Sequence, residues 1–170
     1  MVAWHLGKRD QESTDDFISK VRWATAAQRF DMCTDGFSPY TYAIEAGLHD
    51  RVDYSQVVKS YSKTEEGRER YSPGSFVTVE KAAILGEPNL AKASTSHVER
   101  KNGSLRQWCR RLTRLTYAFS KKWDNLKAAL ALHFAYYNFC RIHSSLRVTP
   151  AMEAGLTDHV WTLPELISPL

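Results

Sequence analysis

Asp35 is the first residue of this chain whose position suggests chemistry. The run Arg29–Thr34 has the pattern of a short buried strand, and Asp35 and Gly36 follow it directly. Open α/β sheets bind ligands beyond the carboxyl ends of their strands, so a carboxylate at this point could hold a metal ion. Asp-Gly is also a common turn pair. Taken alone, the pair favours an ordinary turn over a functional site.

Glu99 is the second residue of interest, because it stands at the start of a cationic segment. Residues 100–122 contain no Asp or Glu and eight Lys or Arg residues, which are Arg100, Lys101, Arg106, Arg110, Arg111, Arg114, Lys121 and Lys122. A lone acid at a helix start can interact with the helix dipole, worth about 0.3–1 kcal/mol. It can equally be a metal ligand that faces a polyanion. The residues alone leave both explanations open.

The elements that would position these acids alternate between strands and helices, which predicts an α/β sheet. Ser13 or Thr14 is expected to cap the first helix, with Asp15 and Asp16 in its first turn. The predicted order is strand Val2–Leu6 ended by Gly7, a helix to about Arg29, strand Arg29–Thr34, helix Ser38–Gly47 and strand Asp53–Lys59.

The second half of the chain is predicted to be mainly helical. Residues 1–61 form the partial sheet, 62–96 a polar insertion with one β-like run at Phe76–Val79, 97–150 two long helices, and 151–170 a C-terminal extension. The helices are expected at Val98 to about Lys121 and at Trp123 to about Arg141. The buried stripe of the first would consist of Val98, Leu105, Cys109, Leu112 and Phe119.

Composition limits the class of protein. The 170 residues are 43% apolar and 25% charged, as in a globular domain, with a formal net charge of +4. No apolar run is long enough to span a membrane. Three widely spaced cysteines, Cys33, Cys109 and Cys140, indicate neither a disulfide framework nor a zinc site, so a reducing cytoplasm is expected.

Two longer motifs resemble insertion-sequence transposases of the DDE type, most closely the insertion-sequence-one family. The first is the cationic segment, in which Glu99, Arg100, Asn102 and Arg106 match the signature helix of these enzymes. The second is the stretch from Tyr136 to Met152, which contains Tyr137-Asn138, Arg141, His143, Leu146 and Thr149-Pro150. The resemblance covers nearly the whole chain and is most specific in its C-terminal half.

This resemblance implies a ribonuclease-H-like fold and metal-dependent DNA cleavage and strand transfer. Three carboxylates of such enzymes hold two Mg²⁺ or Mn²⁺ ions, and Asp35 and Glu99 match the second and third. The implied partner is DNA, at transposon ends and target, bound by a homo-oligomer in a prokaryotic cytoplasm. The implied DNA-binding residues are Arg100, Lys101, Asn102, Arg106, Arg110, Arg111, Arg114, Lys121, Lys122, Arg141 and His143.

The chain departs from the family at its first aspartate, which has no counterpart here. Asp10, Asp15 and Asp16 follow the predicted first strand and do not match the motif. The chain is therefore expected to be an N-terminally truncated copy, without the DNA-end-recognition region and with little activity alone.

Two alternatives stay open. One is a non-catalytic DNA-binding remnant, and the other is a nuclease that uses Asp10 as its missing ligand. The charged run could also be a solvated face. Trp108 and Trp123 are expected in the core more than stacked on bases, His133 is expected to be packed, and His97 could support Glu99.

Overall fold

Strands and helices alternate through the first half of the chain, and short helices follow. A computed structural model describes residues 1–62, 76–113 and 116–168. They divide into two compact units, an N-terminal unit of Val2–Glu99 and a C-terminal unit of Arg100–Leu170 together with Met1. None of the helices in these ranges is long and apolar enough to cross a membrane.

A three-stranded mixed sheet organises the N-terminal unit. Strand β1 (Phe30–Thr34) pairs in parallel with β2 (Val52–Tyr61), and β2 pairs antiparallel with β3 (Phe76–Leu85). Helix α2 (Pro39–Leu48) connects β1 to β2, as a parallel pair requires a crossover. The expected α/β class is confirmed at this level.

The core of this unit lies between the sheet and two helices. Helix α1 (Gln11–Ala24) packs on α2, and both place apolar side chains against β2. The buried residues are Ile18, Val21, Ala43, Ile44, Leu48, Val52 and Tyr54. The strands at Phe30–Thr34 and Val52–Tyr61 and the helix at Pro39–Leu48 confirm three predicted elements, with Pro39 at the first helical position.

The predicted cap of α1 was wrong. Asp10, and not Ser13 or Thr14, is the N-cap, and its side chain accepts a hydrogen bond from the Ser13 backbone N–H at 3.0 Å. Thr14 is buried, and its hydroxyl donates to the Asp10 carbonyl at 2.7 Å. The first turn therefore contains Glu12 in place of the expected Asp15 and Asp16, and the helix ends at Ala24 and does not continue to Arg29.

The predicted strand at Val2–Leu6 is also wrong. Residues 2–6 have no regular secondary structure. A strand needs backbone pairing, and within the described ranges β1 pairs only with β2. The mainly apolar run Val2–Leu6 therefore indicated a strand where none of the described strands is available as a partner. Ala3 still packs against the core.

The region 62–96 contributes a strand to the sheet. The expected short run at Phe76–Val79 is the beginning of the ten-residue β3, whose residues are exposed up to Ile84. Of the rest of this region, residues 63–75 lie outside the described part. The segment after β3 returns to the sheet, where the backbone N–H of Glu87 donates to Asp53 at 2.9 Å.

The long helix predicted from Val98 to Lys121 ends early. Helix α3 spans Ser96–Trp108 and is followed by a single 3₁₀ turn at Arg110–Leu112. Arg106, Arg110 and Arg114 would lie one turn apart in a continuous helix, and such like-charge pairs destabilise it by about 0.2–0.5 kcal/mol each. The expected stripe is not buried either, since α3 has no buried residue and Phe119 is 60% exposed.

The rest of the C-terminal unit consists of short elements. Helix α4 (Trp123–Ala135) continues into a π-helical turn at Tyr136–Cys140, which confirms the second predicted helix. The C-terminal extension contains α6 (Leu163–Ile167), after the four-residue α5 (Pro150–Glu153). Thr149 and Thr162 cap these two helices through their side chains.

We predict that Arg51 stabilises the N-terminal unit by capping the end of α1. Its buried guanidinium donates to the backbone carbonyls of Arg22, Thr25 and Ala26 at 2.8–3.3 Å. Arg51→Ala would leave these carbonyls without a donor and lower the free energy of unfolding by about 2 kcal/mol. Thermal denaturation should show a fall in Tm of roughly 4–8 °C.

Arg51→Lys is the matched control, because it keeps the charge near the helix C-terminus but not the planar guanidinium that reaches all three carbonyls. It should lose less than Arg51→Ala. Equal Tm values for wild type and Arg51→Ala would contradict this role.

Candidate functional site

The turn after β1 presents Asp35 to solvent. The side chain is 58% exposed, and its Oδ1 accepts a long hydrogen bond of 3.3 Å from the Phe37 backbone N–H. Its Oδ2 lies 3.7 Å from the guanidinium of Arg9, which also stacks 4.4 Å from the centre of the Phe37 ring. The carboxylate is thus both a turn residue and an accessible ligand next to a cation.

A buried polar network fixes the strand end that carries Asp35. The Thr34 hydroxyl donates to the Asp35 carbonyl at 2.8 Å and shares a 2.8 Å hydrogen bond with the Tyr54 hydroxyl. Gln56 donates to the Tyr54 hydroxyl and to Thr41 of α2. Buried and satisfied networks of this kind rigidify the backbone that they connect.

Gly36 lets this turn approach the neighbouring strand. A Cβ atom placed on Gly36 would lie 2.9 Å from Cγ2 of Val58 in β2, too close for any side chain without movement. The Asp35 turn therefore packs against β2 one residue before Lys59.

Glu99 lies at the start of α3 and is held by two groups of the N-terminal unit. Its Oε1 accepts from the Lys59 ammonium at 2.5 Å and from the hydroxyl of the buried Thr95 at 2.8 Å. These hydrogen bonds, from Lys59 first and Thr95 second, lower the pKa of Glu99 below its ordinary value. The side chain remains 55% exposed.

Asp35 and Lys59, the partner of Glu99, both lie beyond the residues that pair β1 with β2. Asp35 follows the last residue of β1, and Lys59 stands beyond Gln56, the last β2 residue that pairs with β1. Because β1 and β2 are parallel, both positions belong to the carboxyl edge, where α/β sheets bind ligands. Glu99 is attached to this edge through Lys59.

The two carboxylates fit a divalent metal in type but not in number. Carboxylate oxygens suit Mg²⁺, which keeps several waters and can be bound by one or two carboxylates plus substrate phosphates. Within residues 1–62, 76–113 and 116–168 there is no group of three His, Cys, Asp or Glu side chains that could hold a metal. The described residues therefore do not complete a site for two metals.

Asp10 is committed to another role. As the N-cap of α1 its carboxylate accepts from Ser13, and this backbone hydrogen bond is the main cause of its lowered pKa. Asp15 accepts from Gln11 on the surface of α1. Neither side chain belongs to the hydrogen-bond network around Asp35.

The basic residues of the C-terminal unit differ in exposure. Most of the predicted DNA-binding side chains are exposed, namely Arg100, Asn102, Arg106, Arg110, Arg111, Lys121 and Lys122. Arg114 lies outside the described residues. Arg141 stacks its guanidinium 3.6 Å over the ring of Trp108, and His143 hydrogen-bonds within its own loop, to Ser145 and Val148.

Lys101 points into the C-terminal unit and not to solvent. Its ammonium lies 2.9 Å from the centre of the Tyr137 ring and 6.0 Å from that of Phe134. The nitrogen is buried, and it has no hydrogen-bond partner among the described residues. Burial, and then the charge of Arg141, lower the pKa of Lys101 to about 8. The expectation that Lys101 binds DNA therefore does not fit its position.

The aromatic and histidine predictions have mixed outcomes. His133 is packed between Trp108 and Phe134 as expected, and burial lowers its pKa. Trp108 and Trp123 are 47% and 57% exposed, so they do not lie in the core. His97 is exposed on the first turn of α3, and the bonds that hold Glu99 come from Lys59 and Thr95.

Three contacts of this site were not predicted from the sequence. Arg9, Lys59 and Thr95 contact the two acids, and Arg9 and Lys59 do so across distances in the chain that local patterns do not reveal. Lys59 is 40 residues from Glu99. Only Thr95, four residues before Glu99, has the spacing of a capping residue that could have been recognised.

Comparison of the chain with protein-family models, with curated proteins and with solved structures finds no match.

We predict that Lys59→Gln raises the pKa of Glu99 toward the ordinary value for glutamate. The substitution removes the cation that is the largest cause of the lowered pKa. The pH titration of the Glu99 side-chain carboxyl carbon by ¹³C NMR would measure the change. Lys92→Gln, which removes an exposed cation elsewhere in the same unit, should leave this titration unchanged.

The sign of the associated stability effect follows from linkage. A carboxylate with a lowered pKa in the folded state stabilises the fold above its unfolded pKa, and this contribution is lost as the pH falls through the folded pKa. A pKa of Glu99 that is the same in wild type and Lys59→Gln would show that the ion pair does not form in solution.

We predict that Lys101→Met stabilises the C-terminal unit at neutral pH. The pKa of about 8 means that folding weakens proton binding by Lys101, so the charged form opposes folding. Replacement by an apolar side chain of similar volume should raise Tm by roughly 2–4 °C at pH 7.

The difference should shrink as the pH rises from about 8 towards 10.5, because the folded lysine loses its charge over this range. Circular-dichroism melts at pH 7 and pH 9.5 would test both points. A lower Tm for Lys101→Met at pH 7 would mean that the stabilisation from the contact with Tyr137 is larger than the cost of burying the ammonium.

Proposed function

We propose that this chain is the catalytic part of a DDE-type transposase with a ribonuclease-H-like fold, and that Asp35 and Glu99 ligate Mg²⁺ or Mn²⁺. The observation that supports this most is that Asp35 directly follows β1 of a parallel strand pair, while Glu99 on α3 is joined to the neighbouring strand β2 through Lys59. The motif resemblance predicts a carboxylate after this strand and another on this helix. The parallel pair with its helical crossover is compatible with that fold.

The chemistry proposed is phosphodiester cleavage and strand transfer on DNA. A bound divalent ion would stabilise charge on the attacking and leaving oxygens. Asp35 and Glu99 would hold the ion, and the network of Thr34, Tyr54 and Gln56 would keep the Asp35 backbone in place. The exposed cations of the C-terminal unit would bind the phosphate backbone of the DNA.

Phosphate binding by these cations makes a measurable prediction. Each neutralised phosphate adds about 0.9 to the slope of log affinity against log salt for duplex DNA. Arg106→Gln should reduce this slope by about one unit, because Arg106 is exposed on α3. Lys101→Gln is the matched control on the same helix, and it should leave the slope unchanged since its ammonium is buried.

Fluorescence anisotropy of a labelled duplex at several salt concentrations would measure these slopes. Equal effects of the two substitutions would contradict the assignment of DNA binding to the exposed face. If both variants keep the DNA affinity of the wild type, α3 is not part of the DNA interface.

Metal binding by the two acids has its own test. Mn²⁺ titration followed by electron paramagnetic resonance should show one site, and Asp35→Asn and Glu99→Gln should each weaken it at least about tenfold. Asp15→Asn removes an exposed acid of α1 and should have no effect. Mn²⁺ binding that is unchanged in both site variants would contradict the proposal.

A second candidate function is DNA binding without catalysis. It is favoured by the lack of a three-residue metal-ligand group in the described part of the chain. The two candidates differ in the same titration, because a purely DNA-binding protein needs no Mn²⁺ site at Asp35 and Glu99 and keeps its DNA affinity when both acids are replaced by alanine.

A further inference from the structure

Three aromatic side chains of the C-terminal unit lie on its surface, between the 3₁₀ turn and the start of α4. Tyr117 is fully exposed, and Phe119 and Trp123 are 60% and 57% exposed. A large apolar ring in water forgoes the stabilisation that burial would give it. Three such rings within seven residues form a group that a partner with flat apolar faces would cover.

Exposed cations surround these rings. We call residues 108–123 the aromatic segment. It contains five Lys or Arg residues and no Asp or Glu, and the first acid after it is Asp124. Of the five cations, four are described and exposed, namely Arg110, Arg111, Lys121 and Lys122. The partner that this charge favours is a polyanion.

A hydrogen bond places the 3₁₀ turn next to the rings. Arg111 Nη1 donates to the hydroxyl of Ser120 at 2.8 Å, and Ser120 stands between Phe119 and Lys121 in the chain. A guanidinium has five N–H donors, and this bond uses one of them. The other donors of Arg111 can therefore contact an anion beside Phe119.

We propose that the aromatic segment binds an unpaired DNA strand, with bases stacked on Tyr117, Phe119 and Trp123 and with phosphates on the neighbouring cations. Exposed rings with interleaved cations are the usual means of binding a single strand, because every base has a π face. In a duplex those faces are covered by the adjacent base pairs. The chain length between Tyr117 and Trp123 keeps the rings within roughly 20 Å of each other, so one strand can contact them in succession.

This inference rests on the proposed function, which already assigns the exposed cations of the C-terminal unit to DNA. It adds the three rings to those cations and makes an unpaired strand the preferred ligand of the aromatic segment.

The experiment measures the fluorescence anisotropy of a labelled oligothymidine strand and of a labelled duplex of the same length with the full chain. Tyr117→Leu and Phe119→Leu keep an apolar side chain and remove the ring. Each should weaken binding of the single strand about fivefold, the lower end of the range for the loss of one stacked base. Neither should change the affinity for the duplex.

Tyr42→Leu is the matched control, because Tyr42 is a 68% exposed tyrosine on α2 of the N-terminal unit. It should change neither affinity. Lys121→Gln should weaken the binding of both forms of DNA, since both contain phosphates. For the single strand it should reduce the slope of log affinity against log salt by about 0.7. Circular dichroism of each variant confirms that it folds.

Tryptophan fluorescence reports the stacking itself. A base on Trp123 should quench part of the intrinsic fluorescence when oligothymidine is added. Trp123→Phe keeps a ring for stacking, so it should retain most of the affinity for the single strand and lose this quenching. Trp23→Phe removes an 88% exposed tryptophan of α1 and should keep the quenching.

The outcomes separate the two proposals. If Tyr117→Leu and Phe119→Leu weaken the binding of both forms of DNA equally, or of neither, the stacking surface is wrong and phosphate binding by the exposed cations stands. If they change the mass measured by light scattering and leave DNA affinity unchanged, the rings form an interface between copies of the chain, which also overturns the inference. If the wild type binds neither form of DNA, the proposed function itself fails.

Discussion

The parallel pairing of β1 with β2 is the constraint on which the candidate site depends. It brings the ends of both strands to one edge, so Asp35 after β1 and Lys59 near the end of β2 both lie beyond the paired residues of the two strands. Gly36 makes the approach possible, because a larger residue would collide with Val58. Without this pairing, Glu99 would have no connection to the strand that carries Asp35.

The electrostatics of this edge are those of a site with too few acids. Two exposed carboxylates are each satisfied by a cation, and the described residues offer no third ligand. Such an arrangement is stable without metal and leaves both acids available to one, since exposed ion pairs are individually weak.

Local sequence patterns predicted the bounds of those strands and helices that are flanked by glycine, proline or other turn residues. Asp35-Gly36 correctly marks the end of β1, and Pro39 the first residue of α2, although the side chain of Ser38 makes no capping hydrogen bond. Strand β2 was recognisable from its apolar and β-branched residues.

Sequence patterns gave wrong predictions where the structure depends on a strand or side chain far away in the chain. Residues 2–6 form a mainly apolar run that pairs with no strand in the described ranges, and the apolar stripe of α3 contains no fully buried residue. The early end of α3 coincides with like charges at helical spacing, which disfavour a helix and which a hydrophobic pattern ignores. Half of the candidate site, Asp35 and Glu99, follows from motifs, whereas Arg9 and Lys59 depend on tertiary contacts.

Lys101 shows the same limit for single residues. Its position in a cationic run indicated a solvated or DNA-facing side chain, but its stem turns inward and places the ammonium on Tyr137. The charge of Lys101 therefore did not predict whether its side chain is exposed. The DNA-binding surface proposed for the C-terminal unit consists of the cations that remain exposed.

The central claim is that Asp35 and Glu99 share a divalent cation, and anomalous scattering from crystals grown with Mn²⁺ tests it most directly. We expect one anomalous peak within about 2.2 Å of an oxygen of each carboxylate, with the Lys59 ammonium displaced from Glu99. A structure in which no manganese lies between these acids, and in which packed side chains separate them, would contradict it.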